Sequence, residues 1–268
     1  MNSYQGEALS WDQKDGIIEL ALHRPPANEI APATLAELQK FVTVLESMSS
    51  DVSVVIICSQ LNSGFSAGGD LREMYAYARR ADPAQRAAAI RVSVELSHSL
   101  FNAIDTAPLV TIAAVHGVCF GGGFELALTC DLMIADKLAR FCFPELRLGL
   151  IPGGGGIPRL KRNLGNGIVR ELILTGRSIN ADRAFSAGLV SQVTAPGEAL
   201  TVARLTAAQI KKFDIAALIA AKNFIKTIPR DELRREIDIF CELFSRPAAL
   251  DSLRKFAESA DVMPYLPS

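Results

Sequence analysis

The sequence is poor in the residues that most often carry metal and redox chemistry. It has three histidines in 268 residues, His23, His98 and His116, set far apart, and no H-E-x-x-H, so no metal-ligand spacing is present. Its five cysteines, Cys58, Cys119, Cys130, Cys142 and Cys241, form no C-x-x-C pair. Odd in number and set mostly in apolar runs, they read as buried free thiols of a reducing compartment, with the cytoplasm the expected location. Neither a metal nor a cofactor is expected. No apolar run approaches the roughly 18 residues of a membrane span. The polar start lacks the basic-then-apolar order of a secretory signal. Charge of neither sign dominates: 28 basic and 29 acidic side chains leave a net charge of -1, so no bulk attraction to nucleic acid or an anionic membrane is expected. G-x-x-x-x-G-K-[ST] is missing, and no glycine cluster fits G-x-G-x-x-G after a strand, which excludes a P-loop and argues against a dinucleotide fold.

Core material is plentiful. Apolar residues make up 49% of the chain and charged residues 21%, enough for one large or two modest domains. The runs Gly16–Leu22, Val52–Cys58 and Val110–Val115 are β-rich, and the last two read as strands covered on both faces of a layered α/β structure. Between Pro32 and Met48, apolar residues recur at helical spacing, and two further helical stretches follow over about 71–80 and 84–104. Asp131–Ala135 and Arg140–Phe143 read as strands, and Glu145 follows at a strand end. Beyond about residue 195 glycine nearly disappears, and four helices are expected, with breaks near Asp214, Pro229 and Pro247. The expected organisation is an α/β core over 1–195 and an all-helical segment over 196–268.

Two glycine segments and two glutamates carry the chemistry. The loop after the Val52–Cys58 strand (Gly64 to Asp70) can present bare main-chain N–H groups at Gly68 and Gly69. Gly121-Gly122-Gly123 opens a helix, whose first N–H groups have no partner within it. Two such donors converging on one point form an oxyanion hole; separately, each is equally well a tight turn or a packing contact. Glu125 falls in the first turn of that helix among apolar neighbours, and burial would raise its pKa into the range useful for acid–base work. Glu145 also lies among apolar residues. Paired glutamates beside paired donors suit proton transfer next to a carbonyl. Gly64-Phe-Ser-Ala-Gly68 also matches G-x-S-x-G, the nucleophile elbow of a serine hydrolase. However, five residues separate the strand from the motif, and no histidine lies in the last 150 residues to complete a triad.

Three segments resemble the crotonase superfamily, the enoyl-CoA hydratase/isomerase fold: Gly64-Phe-Ser-Ala-Gly-Gly-Asp-Leu71, the stretch from Ile112 to Leu126, and the stretch from Phe143 to Gly156. Arg177 to Val190 resembles the family's segment before its last core strand. The resemblance implies an α/β spiral of ββα turns, a crotonase-like core, with an all-helical C-terminal segment used in trimer formation, as a homotrimer or a dimer of trimers. It implies an acyl-CoA or acyl-carrier-protein thioester as the substrate, with that thioester carried as an enolate. By motif position, Gly69 and Gly122 would supply the oxyanion amides. Pro26, Ala27, Ala67, Gly68, Asp70 and Leu71 would line the coenzyme A site. Hydratases of the family carry glutamates at both the Glu125 and Glu145 positions, so the resemblance implies water addition across a 2,3-double bond, or the reverse dehydration. Glu125 would activate the water that attacks C3, and Glu145 would protonate C2.

The same fold leaves a double-bond isomerase or a decarboxylase open, and a non-enzymatic binding protein is the remaining class. Two departures stand out. Phe256 is followed by Ala-Glu-Ser-Ala rather than the basic motif that reaches coenzyme A phosphates in many relatives, with only Arg254 and Lys255 before it. His116 stands where many relatives have asparagine and reads as a structural residue.

Overall fold

The computed structural model describes residues 3–47 and 52–260, so Met48, the end of the first expected helix, lies outside the described residues. The polar N-terminus, which shows no strand pattern, forms two strands, β1 (Ser3–Gln5) and β2 (Leu9–Lys14), paired antiparallel. Leu9 and Trp11 bury themselves in the core, with Trp11 stacked on Tyr4 at 4.3 Å. The turn between the strands is held from outside. Glu37 of α1 (Pro32–Glu46) accepts from the amides of Glu7, Ala8 and Leu9 at 2.8, 3.1 and 3.0 Å. Burial alone would raise the Glu37 pKa, but the three amides outweigh it and the net shift is downward. Since this glutamate belongs to a helix distant in sequence, no local pattern announces the strands.

From β3 (Ile17–Leu22), which pairs with β2, the chain repeats one unit three times. β4 (Val54–Ser59) leads to β5 (Gly64–Ser66) and then to α2 (Leu71–Ala78) and α3 (Pro83–Asp105). β6 (Val110–Val115) leads to β7 (Val118–Phe120) and α4 (Gly121–Ala127). β8 (Leu132–Asp136) leads to β9 (Arg140–Cys142) and a short 3-10 turn (Glu145–Leu148). The first strands of the three units lie side by side in one sheet, parallel; the second strands do the same in another. The corners touch. Gly64 bridges to Gly117, and a Cβ on Gly64 would strike the Val118 amide, so both corners require glycine.

The chain continues through α5 (Gly156–Asn163), α6 (Asn166–Thr175), β10 (Ile179–Asn180), α7 (Ala181–Ser186) and β11 (Gln192–Thr194). The large sheet has the order β1-β2-β3-β4-β6-β8-β11 and the small one β10-β9-β7-β5. Among the described residues four helices follow, α8 (Ala199–Ile210), α9 (Ile215–Ile225), α10 (Arg230–Phe244) and α11 (Pro247–Ala257), with the expected breaks. Both faces of the large sheet are covered: Val54, Ile56 and Cys58 pack with Ala199, Ala203 and Ala207 of α8, while Val55 and Ile57 enter the main core.

Two local expectations are corrected. Glu145 starts the 3-10 turn instead of ending a strand, because β9 stops at Cys142. The Gly64–Asp70 segment is not wholly loop: its first three residues pair with β7.

Candidate functional site

The three units deliver their ends to one place. The segment after β5 brings Gly69, the start of α4 brings Gly122, and the segment after β9 brings Glu145. All three border a cavity of about 390 Å³, together with Glu125, Gly153 and Gly154.

Gly69 makes an isolated parallel bridge with Ile30, in which Ile30 donates to Gly68 O at 2.7 Å and Asp70 donates to Ile30 O at 3.1 Å. In such a bridge the central residue's own N–H points the other way. Gly122 lies in the first turn of α4, where an N–H has no helical partner. The two amides are neighbours: a Cβ built on Gly122 would lie 3.6 Å from the Gly69 nitrogen. Gly68 holds the loop against α4 with φ at 97°, and its Cβ would meet Phe120 O at 2.9 Å. Two main-chain donors thus face one cavity, as an oxyanion requires.

Glu125 sits one turn into α4 rather than in its first turn, and is 5% exposed. Its Oε1 accepts from the Gly154 and Gly156 amides at 2.7 and 3.0 Å, which leaves Oε2 for the cavity. Burial pushes its pKa up to about 7, against the pull of those two amides and of Arg159. Glu145 flanks the other side of the α4 start: its Oε1 lies 2.9 Å from where a Cβ on Gly121 would be. Its Oε2 is buried with no hydrogen-bond partner. Burial first, and the Glu125 charge second, hold its pKa well above the usual carboxylate range. One carboxyl is thus poised near neutrality and the other biased toward its protonated form, a division of the kind that assigns base and acid.

Residues outside the motifs fix this geometry. Arg159, fully buried, donates from Nε to Asp105 at 2.8 Å, from Nη1 to Gly154 O at 2.9 Å and from Nη2 to Asn102 at 2.7 Å. Glu236 of α10, 3% exposed, accepts from the Ile157 amide at 2.9 Å. Neither appeared among the candidate residues. The signal existed: Glu236 stands on the stripe of Leu233, Ile237, Phe240 and Phe244, an acid on an apolar helix face.

The remaining candidates separate into two groups. Asp70 and Leu71 border the cavity; the Asp70 carboxylate caps α2 at the Glu73 amide (2.9 Å) and pairs with Arg24 (2.8 Å). Pro26, Ala27 and Ala67 lie together off the cavity, with Ala67 N donating to Ala27 O at 2.9 Å. His116 donates from Nε2 to Leu61 O at 2.9 Å. Ser66 is buried, its hydroxyl donating to Asn28 O at 2.7 Å and accepting from the Gly68 amide at 3.2 Å. Gly123 lies directly against it, so a serine nucleophile at this position has no access to substrate. The G-x-S-x-G match is a packing feature.

The sequence profile described as "Enoyl-CoA hydratase/isomerase" matches residues 12–262. The chain belongs to that family, within the crotonase superfamily. The "Probable enoyl-CoA hydratase 2, mitochondrial" of Arabidopsis thaliana is 37% identical over 250 residues, covering 91% of this chain and 79% of that protein. The 2,3-dehydroadipyl-CoA hydratase of Escherichia coli is 34% identical over 236 residues, 88% of each chain. Among solved structures, the enoyl-CoA hydratase of Bacillus anthracis superposes with a TM-score of 0.75 at 30% identity, over 93% of this chain and 96% of that one. The fold is therefore the crotonase fold, and the family acts on acyl-CoA thioesters. Among the described residues no helix is long and apolar enough to cross a membrane, and no group of three acids, histidines or cysteines is placed to hold a metal.

Proposed function

We propose that this member of the crotonase superfamily is a hydro-lyase that adds water across the 2,3-double bond of an enoyl thioester, or removes it. The observation that carries the reading is the pair of carboxyls with separated proton affinities on the cavity that the two free amides face.

The thioester oxygen sits between the amides of Gly69 and Gly122, which strengthen their hydrogen bonds as negative charge moves onto it. Glu125, with Oε1 fixed by two amides, uses Oε2 to orient and deprotonate the water that attacks C3. Glu145, whose burial favours the protonated form, gives its proton to C2 as the enolate collapses. In dehydration the roles reverse. The thioester itself is the electron sink, so the reaction needs no cofactor or metal.

The assembly belongs to the same proposal. Helix α9 carries the apolar run IAALIAAKNFI yet buries only Lys222, leaving Phe224 90% and Ile225 79% exposed. A second copy of the chain in a trimer, alone or doubled, covers such a face. The working compartment is the cytoplasm, where five buried cysteines remain free thiols.

The test is turnover of crotonyl-CoA in heavy-oxygen water by the wild type, Glu125→Gln and Glu145→Gln. The wild type should place the label at C3, and each variant should lose at least about 100-fold in kcat, as removal of a general acid or base does. Double-bond migration without label would establish the isomerase instead, and loss of carbon dioxide from a malonyl-type thioester the decarboxylase.

A further inference from the structure

The cavity continues well beyond the two carboxyls, and α3 forms one wall of it. At the reacting end, His98 donates to Gly153 O at 2.8 Å, and the Phe101 ring lies 3.2 Å from where a Cβ on Gly154 would be. Phe101, Ser97, Val94, Ile90 and Arg86 then border the cavity in succession, at helical spacing. About 18 Å of helix separates the level of His98 from Arg86. α2 carries the chain outward from Gly69, and residues 79–82 join its end to the start of α3. Arg86 therefore stands at the outer corner, remote from the amides. The wall between is largely apolar, with Met74, Ile90, Val94, Leu148, Leu150 and Phe240, and carries the hydroxyls of Ser93 and Ser97.

Arg86 is partly buried, and its Nε is wholly buried without a hydrogen-bond partner. Its side chain enters no ion pair among the described residues. The acids on the same cavity are engaged elsewhere: Asp70 pairs with Arg24 at 2.8 Å, and Glu73 turns toward Arg24 at 3.9 Å. A guanidinium at the end of an apolar channel, with a desolvated donor and no counter-charge, is built for a planar anion, and a carboxylate matches its fork of donors.

We propose that Arg86 receives a carboxylate at the far end of the acyl chain, so that the preferred substrates are enoyl thioesters of dicarboxylic acids. The inference rests on the hydratase reading for the direction in which the acyl chain runs. A coenzyme A phosphate is the competing source of an anion. The Pro26–Ala27 turn and Ala67, where the nucleotide is expected, do not border this cavity, which favours the acyl end. An extended chain advances roughly 1.2 Å per bond. Allowing for the reach of the arginine itself, acyl chains of about eight to twelve carbons span the distance.

The experiment compares kcat/KM for 2-enoyl-CoA substrates of equal length ending in a carboxylate or a methyl group, in the wild type and in Arg86→Gln. The wild type should favour the carboxylate, and the substitution should lower that preference at least about tenfold, the usual loss for one charge-assisted hydrogen bond. An unchanged preference overturns the proposal. That includes a uniform rise in KM for both substrates, which would assign Arg86 to a phosphate of the thiol. Calorimetric titration with the saturated thioesters of the same two series reads the preference without turnover. An Arg86-dependent preference in binding, with no enoyl thioester hydrated, would keep this site and remove the hydratase reading. Hydration without any such preference would do the reverse.

Discussion

Glu125 and Glu236 grip one turn of chain from two different helices. Glu125 Oε1 holds the Gly154 and Gly156 amides at 2.7 and 3.0 Å, and Glu236 Oε1 holds the next amide, Ile157, at 2.9 Å. Burial raises both pKa values, and the Glu125 charge raises that of Glu236 further. Both causes favour the protonated form of Glu236. The C-terminal helices thereby reach into the candidate active site: α10 supplies both a wall of the cavity and half of the clamp on the turn that aims Glu125.

Replacing Glu236 tests the clamp. Glu236→Gln keeps a carbonyl oxygen for the Ile157 amide, and burial already favours the neutral form of the native acid, so turnover should stay within a few-fold of wild type. Glu236→Leu strands the part-buried Ile157 amide and should cost about 1 kcal/mol or more in urea denaturation. It should also depress kcat more than KM, because the Glu125 carboxylate loses its fixed orientation. Equal kcat in the Leu variant and the wild type would show that Glu125 is held well enough without α10.

The pH dependence of hydration follows from Glu125. As the base it must be ionised, and burial has moved its pKa from the usual carboxylate range to about 7. The acid limb of kcat/KM with crotonyl-CoA should accordingly bend near pH 7, with activity rising as pH increases through that point. A profile that stays flat down to about pH 5 would mean that Glu125 ionises like an exposed carboxylate.

Most of this arrangement was legible in the sequence where chemistry is local, and illegible where it is supplied from a distance. The runs around Val54 and Val110 are almost wholly apolar because both sheet faces are covered, and composition alone shows that. Asp214 accepts from the Ala217 amide at 2.9 Å, so the break expected there is a helix cap that a reader can see. Gly68, Gly121 and Gly123 are visible for the same reason: close approach of neighbouring segments leaves no room for a side chain. By contrast, β1 and β2 depend on Glu37, far along the chain, and the orientation of Glu125 depends on Gly154, Arg159 and Glu236. The Ser66 motif misled because a short pattern says nothing of access, and here Gly123 covers the hydroxyl. Family membership was readable from three motifs in order; the clamp on the 153–157 turn needed the fold.

Gly68 offers a test of the paired amides that spares every side chain of the site. Its φ of 97° is strained for any other residue, and a Cβ there would meet two backbone atoms, Phe120 O at 2.9 Å and Gly122 N at 3.2 Å. Gly68→Ala should therefore push the Gly69 loop away from α4 and lower kcat about 100- to 1,000-fold, the effect of losing one oxyanion donor. Gly69→Ala is the contrast for stability: no atom lies within 4 Å of its added Cβ, so its Tm should match the wild type while that of Gly68→Ala falls. Full activity in Gly68→Ala would remove the Gly69 amide from the oxyanion site.

Glu145 should make the protein less stable as pH rises. Its folded pKa lies well above the usual carboxylate value, chiefly through burial, while in the unfolded chain it titrates near about 4.3. Between those two values the folded state holds a proton that the unfolded state has released. The unfolded state is then favoured progressively, and folding stability falls with increasing pH across that window. Below about pH 4 both states are protonated and the effect vanishes. Glu145→Gln cannot ionise, so it abolishes this loss, while any cost of seating an amide where Oε2 has no partner is the same at every pH. The Tm of the variant minus that of the wild type should therefore be larger at about pH 8 than at about pH 4, measured by scanning calorimetry in matched buffers. The enzyme would then gain stability at neutral pH by the same substitution that removes its proton donor, as expected where an acid is kept buried for its chemistry. An equal difference at the two pH values would show that Glu145 titrates alike in the folded and unfolded chain, and would deprive it of the raised proton affinity on which its role at C2 depends.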